Sequence, residues 1–163
     1  MQRRTFLTRV LAGGTALALT GCGFRLRGFG ESGTVIDELE LAGPESELSR
    51  QLAERLRRDG TRLHAQAPWI LTLGRPALDE RRLSVLDAGS QEHEMVLSLP
   101  FSVQRRSDGA FVLPEQMLEV SERFTVSDDN LLAQEEIRRE AETALHREAI
   151  RQLLERLRGL NRA

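Results

Sequence analysis

Met95, Leu97, Leu99, Phe101 and Val103 alternate with Val96, Ser98, Pro100, Ser102 and Gln104. A period of two puts the two sets on opposite faces of a strand, so this segment predicts a half-buried β-strand. Pro100 falls in the outward set and has no N–H for a ladder, which predicts an edge position or a bulge there. Val35, Leu39 and Leu41 show similar spacing. Trp69, Leu71 and Leu73 alternate with Ile70 and Thr72, and the pattern resumes at Leu83 and Val85 after Gly74-Arg75-Pro76. Leu118, Val120, Phe124 and Val126 predict a last strand in which Glu122 interrupts the apolar set. Asp87-Ala88-Gly89-Ser90 and Ser107-Asp108-Gly109 have the composition of hairpin turns.

Two stretches follow a helical period instead. Leu48, Leu52 and Leu56 repeat every four residues, with Pro44 suited to a first helical turn and Gly60 to a C-terminal stop. Ala133, Ile137, Ala141, Leu145, Ala149, Leu153 and Leu157 do the same, behind possible N-cap oxygens on Ser127, Asp128 and Asp129. Four residues turn a helix by about 400°, so this second stripe drifts by roughly 40° per step. Such a winding stripe suits a helix lying across a twisted sheet, whereas a coiled coil requires a spacing of 3.5. The element order is β-α-β-β-β-α: an α+β fold with both helices on one face of a mixed, roughly four-stranded sheet.

The front of the chain departs from these patterns. Arg3, Arg4 and Arg9 precede an apolar run from Val10 to Thr20, which matches the roughly 7 to 15 apolar residues of a signal-peptide core. A membrane span needs about 20. Leu19-Thr20-Gly21-Cys22 resembles the lipobox of bacterial lipoproteins, which implies cleavage between Gly21 and Cys22 and lipidation of Cys22 by S-diacylglycerol and an N-acyl group. Several acyl chains exceed the two-signal threshold for stable anchoring. Gly23 after the cysteine implies, by the sorting rule of enteric lipoproteins, the periplasmic face of the outer membrane. Arg3-Arg4-Thr5-Phe6-Leu7 also resembles a twin-arginine motif, which leaves the export route open. The expected organisation is a signal peptide over 1–21, a lipidated N-terminus and tether over 22–33, and one α+β domain over 34–163.

Composition changes this picture little. All 23 basic residues are arginine, as a GC-rich genome would favour, so their abundance carries no functional weight. Losing Arg3, Arg4 and Arg9 with the signal would take the formal charge from −2 to −5. There is no GxSxG, Walker loop, HExxH or CxxC, and Cys22, the sole cysteine, is no nucleophile once acylated. His64, His93 and His146 are far apart, on an expected strand end, strand start and helix surface, and predict no metal site. Glu135, Glu136, Glu140 and Glu142 read as a solvated helix face paired with Arg138 and Arg139. Neither an enzyme nor a cofactor is expected, and no nucleic acid.

Cys22-Gly23-Phe24 followed by Leu26-Arg27-Gly28 resembles the mature N-terminus of the LptE family of lipopolysaccharide-assembly lipoproteins. The resemblance continues through Leu48-Ser49-Arg50 with Leu52 and Leu56, the Ser107-Asp108-Gly109 hairpin, and Arg123-Phe124 leading to Asp129-Asn130 and Leu132-Ala133. It implies two helices on a four-stranded sheet and a non-enzymatic role: plugging the LptD β-barrel, assisting its assembly, and contacting lipopolysaccharide on its way to the outer leaflet. Lipid A phosphates would then suit guanidinium groups. Arg81, Arg82, Arg105 and Arg106, adjacent pairs near hairpin ends, are the candidates. The alternative is a lipid-anchored structural adaptor for another envelope protein; a lipid-anchored enzyme is a weaker rival.

Overall fold

The computed structural model describes residues 35–85, 90–127 and 131–160. The signal segment, Cys22 and its tether, most of the Asp87-Ala88-Gly89-Ser90 turn, and the caps expected from Asp128 and Asp129 lie outside them.

Strand β1 (Glu38–Ala42) leads through Gly43 into helix α1 (Glu47–Arg58). Gly43 has φ 117°, and a Cβ there would stand 2.1 Å from the carbonyl oxygen of Leu73, so the turn requires glycine. The helix starts later than Pro44 suggests, because Ser46 caps it. The Ser46 hydroxyl accepts from the Ser49 N–H at 3.1 Å, and the Ser49 hydroxyl accepts from the Ser46 N–H at 2.8 Å. This reciprocal pair satisfies two donors that a helix start leaves unpaired. Leu48, Leu52 and Leu56 are fully buried, and Gly60, at φ 94°, ends the helix as expected.

Five strand segments follow: β2 (Arg62–Leu63), β3 (Trp69–Leu73), β4 (Ala77–Val85), β5 (Ser90–Arg105) and β6 (Phe111–Ser127). β1 pairs in parallel with both β2 and β3; every other pairing is antiparallel. β3 and β4 occupy the same edge of β5, β3 along 101–105 and β4 along 91–98, while β6 takes the other edge. The sheet is therefore mixed and, where β3 pairs β5, five strands wide in the order β2-β1-β3-β5-β6, with six segments where the sequence predicts roughly four strands. β4 begins earlier than Leu83, and a register shift between Arg82 and Ser84 leaves Leu83 partly exposed.

The edge position expected from Pro100 is overturned, because β5 is paired on both sides. The Pro100 carbonyl accepts from the Gly74 N–H at 2.7 Å, in the gap where β3 ends and β4 has not begun. A strand residue's N and O point the same way, so the missing N–H falls where no strand asks for it. The sheet is irregular close by, with a register shift against β6 between Phe101 and Val103. The Ser107-Asp108-Gly109 turn forms as expected, with Gly109 at φ 66°.

Helix α2 (Leu131–Leu160) rises about 45 Å at 1.5 Å per residue. Of its stripe, Ala141, Leu145, Ala149, Leu153 and Leu157 are buried, joined by Ile150 and Leu154. Ala133 and Ile137 are only half-buried, and Leu132 is 85% exposed. One apolar cluster unites both helices with the inward residues of β1, β3, β5 and β6. His146, expected on the helix surface, is 6% exposed, because the drifting stripe turns that position inward in the middle of the helix.

Candidate functional site

The helices cover the face of β5 that carries Met95, Leu97, Leu99, Phe101 and Val103. The opposite face carries Glu92, Glu94, Val96 and Ser98, and among the described residues no helix lies over it. At its centre Glu94 sits in register with Arg81 of β4 and Arg123 of β6. Arg81 Nε donates to Glu94 Oε2 at 2.8 Å and its Nη2 donates to the same oxygen; Arg123 Nε approaches Oε1 at 3.4 Å. The Glu94 side chain is 8% exposed, whereas Arg81 and Arg123 are 63% and 66% exposed. The carboxylate is thus covered by hydrated guanidinium groups, not by the core. The hydrogen bond from Arg81 is the main cause that holds its pKa below the ordinary glutamate value of 4.5.

This cross-strand unit has a net charge of +1 and two open guanidinium edges, so it suits an anion. Arg82, one residue along, faces the other way and reaches Gln91 at 3.4 Å. Beside it His93 Nδ1 lies 2.6 Å from Glu80 Oε1, its ring stacks on Phe124 at 5.7 Å, and Arg138 of α2 donates to Glu80 at 3.1 Å. That cluster ties the start of α2 to β4. Arg138 therefore pairs mainly across the fold, beyond the local helix pairs expected for it, while Arg139 keeps Glu136 at 3.1 Å.

Arg105 and Arg106 lie at the far end of β5. Arg105 donates to Asp108 at 3.0 Å and stands over the Trp69 ring; Arg106 donates to the Ala67 carbonyl at 2.8 Å and pairs with Glu40. The register puts Arg105 eleven residues from Glu94, a separation of roughly 36 Å at ~3.3 Å per residue. The fold does not unite the two arginine pairs. It unites Arg81 with Arg123, which is no ligand candidate on periodicity alone because strand register is not legible there.

A family model, LptE: Lipopolysaccharide-assembly, matches residues 33–157. The chain belongs to the LptE family. LptE membership assigns it to the lipopolysaccharide-assembly lipoproteins of the cell envelope. Three solved structures are similar to it. Lipoprotein B of Nitrosomonas europaea aligns with a TM-score of 0.67 at 14% identity, covering 78% of this chain and 85% of that one. A minor lipoprotein of Acinetobacter baumannii gives 0.56 at 16% identity over 77% and 92%. Rare lipoprotein B of Shewanella oneidensis gives 0.51 at 25% identity over 74% and 90%. No curated protein matches the chain. The first two likenesses concern the fold, and they agree with the LptE architecture of two helices on a curled mixed sheet.

Proposed function

We propose that this protein is an outer-membrane lipoprotein, anchored through acylated Cys22 at the periplasmic face, that binds and plugs the LptD β-barrel and helps deliver lipopolysaccharide to the outer leaflet. The observation that carries this reading is the LptE match across residues 33–157, which spans every strand and nearly all of both helices. The open sheet face adds to it. A barrel lumen is polar, and the outward residues of β4, β5 and β6 are chiefly charged or small and polar, unlike the apolar surface of an obligate interface.

On this reading Arg81 and Arg123 contact lipid A phosphate by charge-assisted bonds that Glu94 pre-orients. Arg82, on the opposite face of β4, takes no part in that contact. Arg105 and Arg106, held by Asp108, Ala67 and Glu40, would meet a different part of the ligand or the barrel.

The test is purification of the C-terminally tagged protein from detergent-solubilised outer membranes. A large β-barrel retained at about one-to-one stoichiometry supports the plug; recovery alone or with a soluble periplasmic protein overturns it in favour of an adaptor. Mass spectrometry of the purified N-terminus should find diacylglyceryl and acyl groups on Cys22, and an intact signal segment would refute the anchor. Replacing both Arg81 and Arg123 by Ala should weaken lipopolysaccharide binding about tenfold while the circular dichroism spectrum stays unchanged, and unaltered affinity would remove the open face from the ligand site.

A further inference from the structure

β6 is paired on one side only. Its register with β5 is unbroken over residues 116–127, and among the described residues no strand takes its other edge. Alternate residues along that stretch turn their N–H and C=O groups away from β5, a row of donors and acceptors that another strand can use. The other edges of the sheet are blunter. β2 is two residues long and leaves β1 open only over 40–42, and β4 keeps a regular register only over 77–82. Pro114 and both register shifts of β6 fall at or before Gln116, so the stretch beyond is straight and without proline.

Charges usually protect such an edge, and Glu119, Glu122 and Arg123 lie on this one. Their order, however, is self-complementary. If a second β6 runs antiparallel to the first about a two-fold axis at Ser121, Glu119 and Arg123, each two residues from the axis, stand directly opposite one another across the copies. The outer face then carries two Glu119–Arg123 pairs and opposes no like charges, with Met117 facing Thr125. Arg123 turns its Nε to Glu94 at 3.4 Å, and in the pair its guanidinium lies between Glu94 and Glu119 of the second copy.

The inner face carries a second match. A trough of about 670 Å³ runs between this edge and α2, lined by residues 119–122 on one side and by Ala144, Arg147 and Arg151 on the other. Arg151 is engaged by Glu148 at 2.8 Å and by Glu155 at 2.5 Å. Among the described residues no hydrogen bond or ion pair engages Arg147, Glu119 or Glu122. In the two-fold register Glu122 of the second copy stands opposite Val120, in the trough that Arg147 lines. An uncompensated carboxylate therefore meets an uncompensated cation, once in each copy.

We propose that this chain forms a two-fold dimer by joining β6 to β6 of a second copy, antiparallel and centred on Ser121, with Glu119–Arg123 and Glu122–Arg147 contacts between the copies. The interface is isologous and closes at two. The occupant is the chain's own strand because that strand supplies the complementary charges in register. The inference does not rest on the lipopolysaccharide reading.

The experiment takes the mature lipoprotein in non-ionic detergent, freed of any barrel, and measures its protein mass by sedimentation over a range of concentrations. Two copies per particle are expected. E119R sets an arginine against Arg123 of the second copy and should weaken pairing about tenfold or more, and the exchange E119R/R123E should restore it. Both positions are exposed, and an unchanged thermal midpoint checks the fold. Cysteines read the register independently. Residues opposed across an antiparallel pair have Cα atoms about 4.5–5.5 Å apart, which suits a disulfide. S121C should therefore link to itself on mild oxidation, whereas T125C, roughly 26 Å from its own counterpart at ~3.3 Å per residue, should not. Native protein oxidised alongside controls for linkage through Cys22. The inference is overturned by a monomer at every concentration reached, by an E119R dimer as tight as the native one, by T125C linking as readily as S121C, or by failure of the exchange to restore pairing at an unchanged thermal midpoint. A strand of another protein held on this edge, with no pairing of copies, overturns it as well. Retention of a β-barrel by the tagged protein is independent of all these results.

Discussion

The two faces of β5 are built from alternate residues of one strand, yet different physics governs them. On the inner face Leu97 and Leu99 are fully buried against Leu118, Val120 and the helices. On the outer face Glu94 is almost as well shielded, but by the two arginines that pair with it. Burial on the inner side removes apolar surface from water and stabilises the fold at about 25 cal/mol per Å². Shielding on the outer side orders charged groups that remain wet, where ion pairs contribute little to stability. The inner face holds the fold together, and the outer face is free to be shaped by a ligand or partner.

Substitutions one position apart should expose this contrast. Leu97→Ala should cost about 2–5 kcal/mol, the usual range for truncating a core leucine, read as a drop in the denaturant midpoint. A loss below about 1 kcal/mol would mean that the inner face is loosely packed. Glu94→Gln should have a smaller effect that depends on pH. The pKa of Glu94 is depressed in the folded state, so its contribution is complete above the unfolded-state value near 4.5 and is lost as pH falls through the lower folded value. The stability difference between native protein and variant should therefore be present at pH 7 and shrink on acidification; a difference that grows in acid would contradict the Arg81–Glu94–Arg123 geometry. Ser98→Ala, adjacent to Leu97 on the outer face, should change stability by less than about 0.5 kcal/mol. A larger loss would show that the outer face is structural.

The same contrast applies to ions on the helices. Glu148 is held to about 2, first by its hydrogen bond from Arg151 and then by one from Gln152. Because the pair is exposed, its effect on stability is discounted by solvent, and its use is to fix Arg151 at the trough beside β6.

Much of this protein was legible from its own residues. The period of two in β5 specified its inner face, and the four-residue stripe of α2 picked out Ala141, Leu145, Ala149, Leu153 and Leu157, all of them buried, because side-chain direction follows from backbone geometry. Lipobox-like residues and the CGFxLRG run pointed to an LptE lipoprotein, and the match over 33–157 puts the chain in that family. Local periodicity is silent on pairing, however. That β5 is central in spite of Pro100, that Arg123 meets Glu94 from a strand 29 residues away, that His146 turns inward, and that Arg147 of α2 flanks the free edge of β6 were all decided by tertiary structure. Strand register and helix packing are set by how distant apolar faces fit together, and only the assembled core fixes which charges become neighbours.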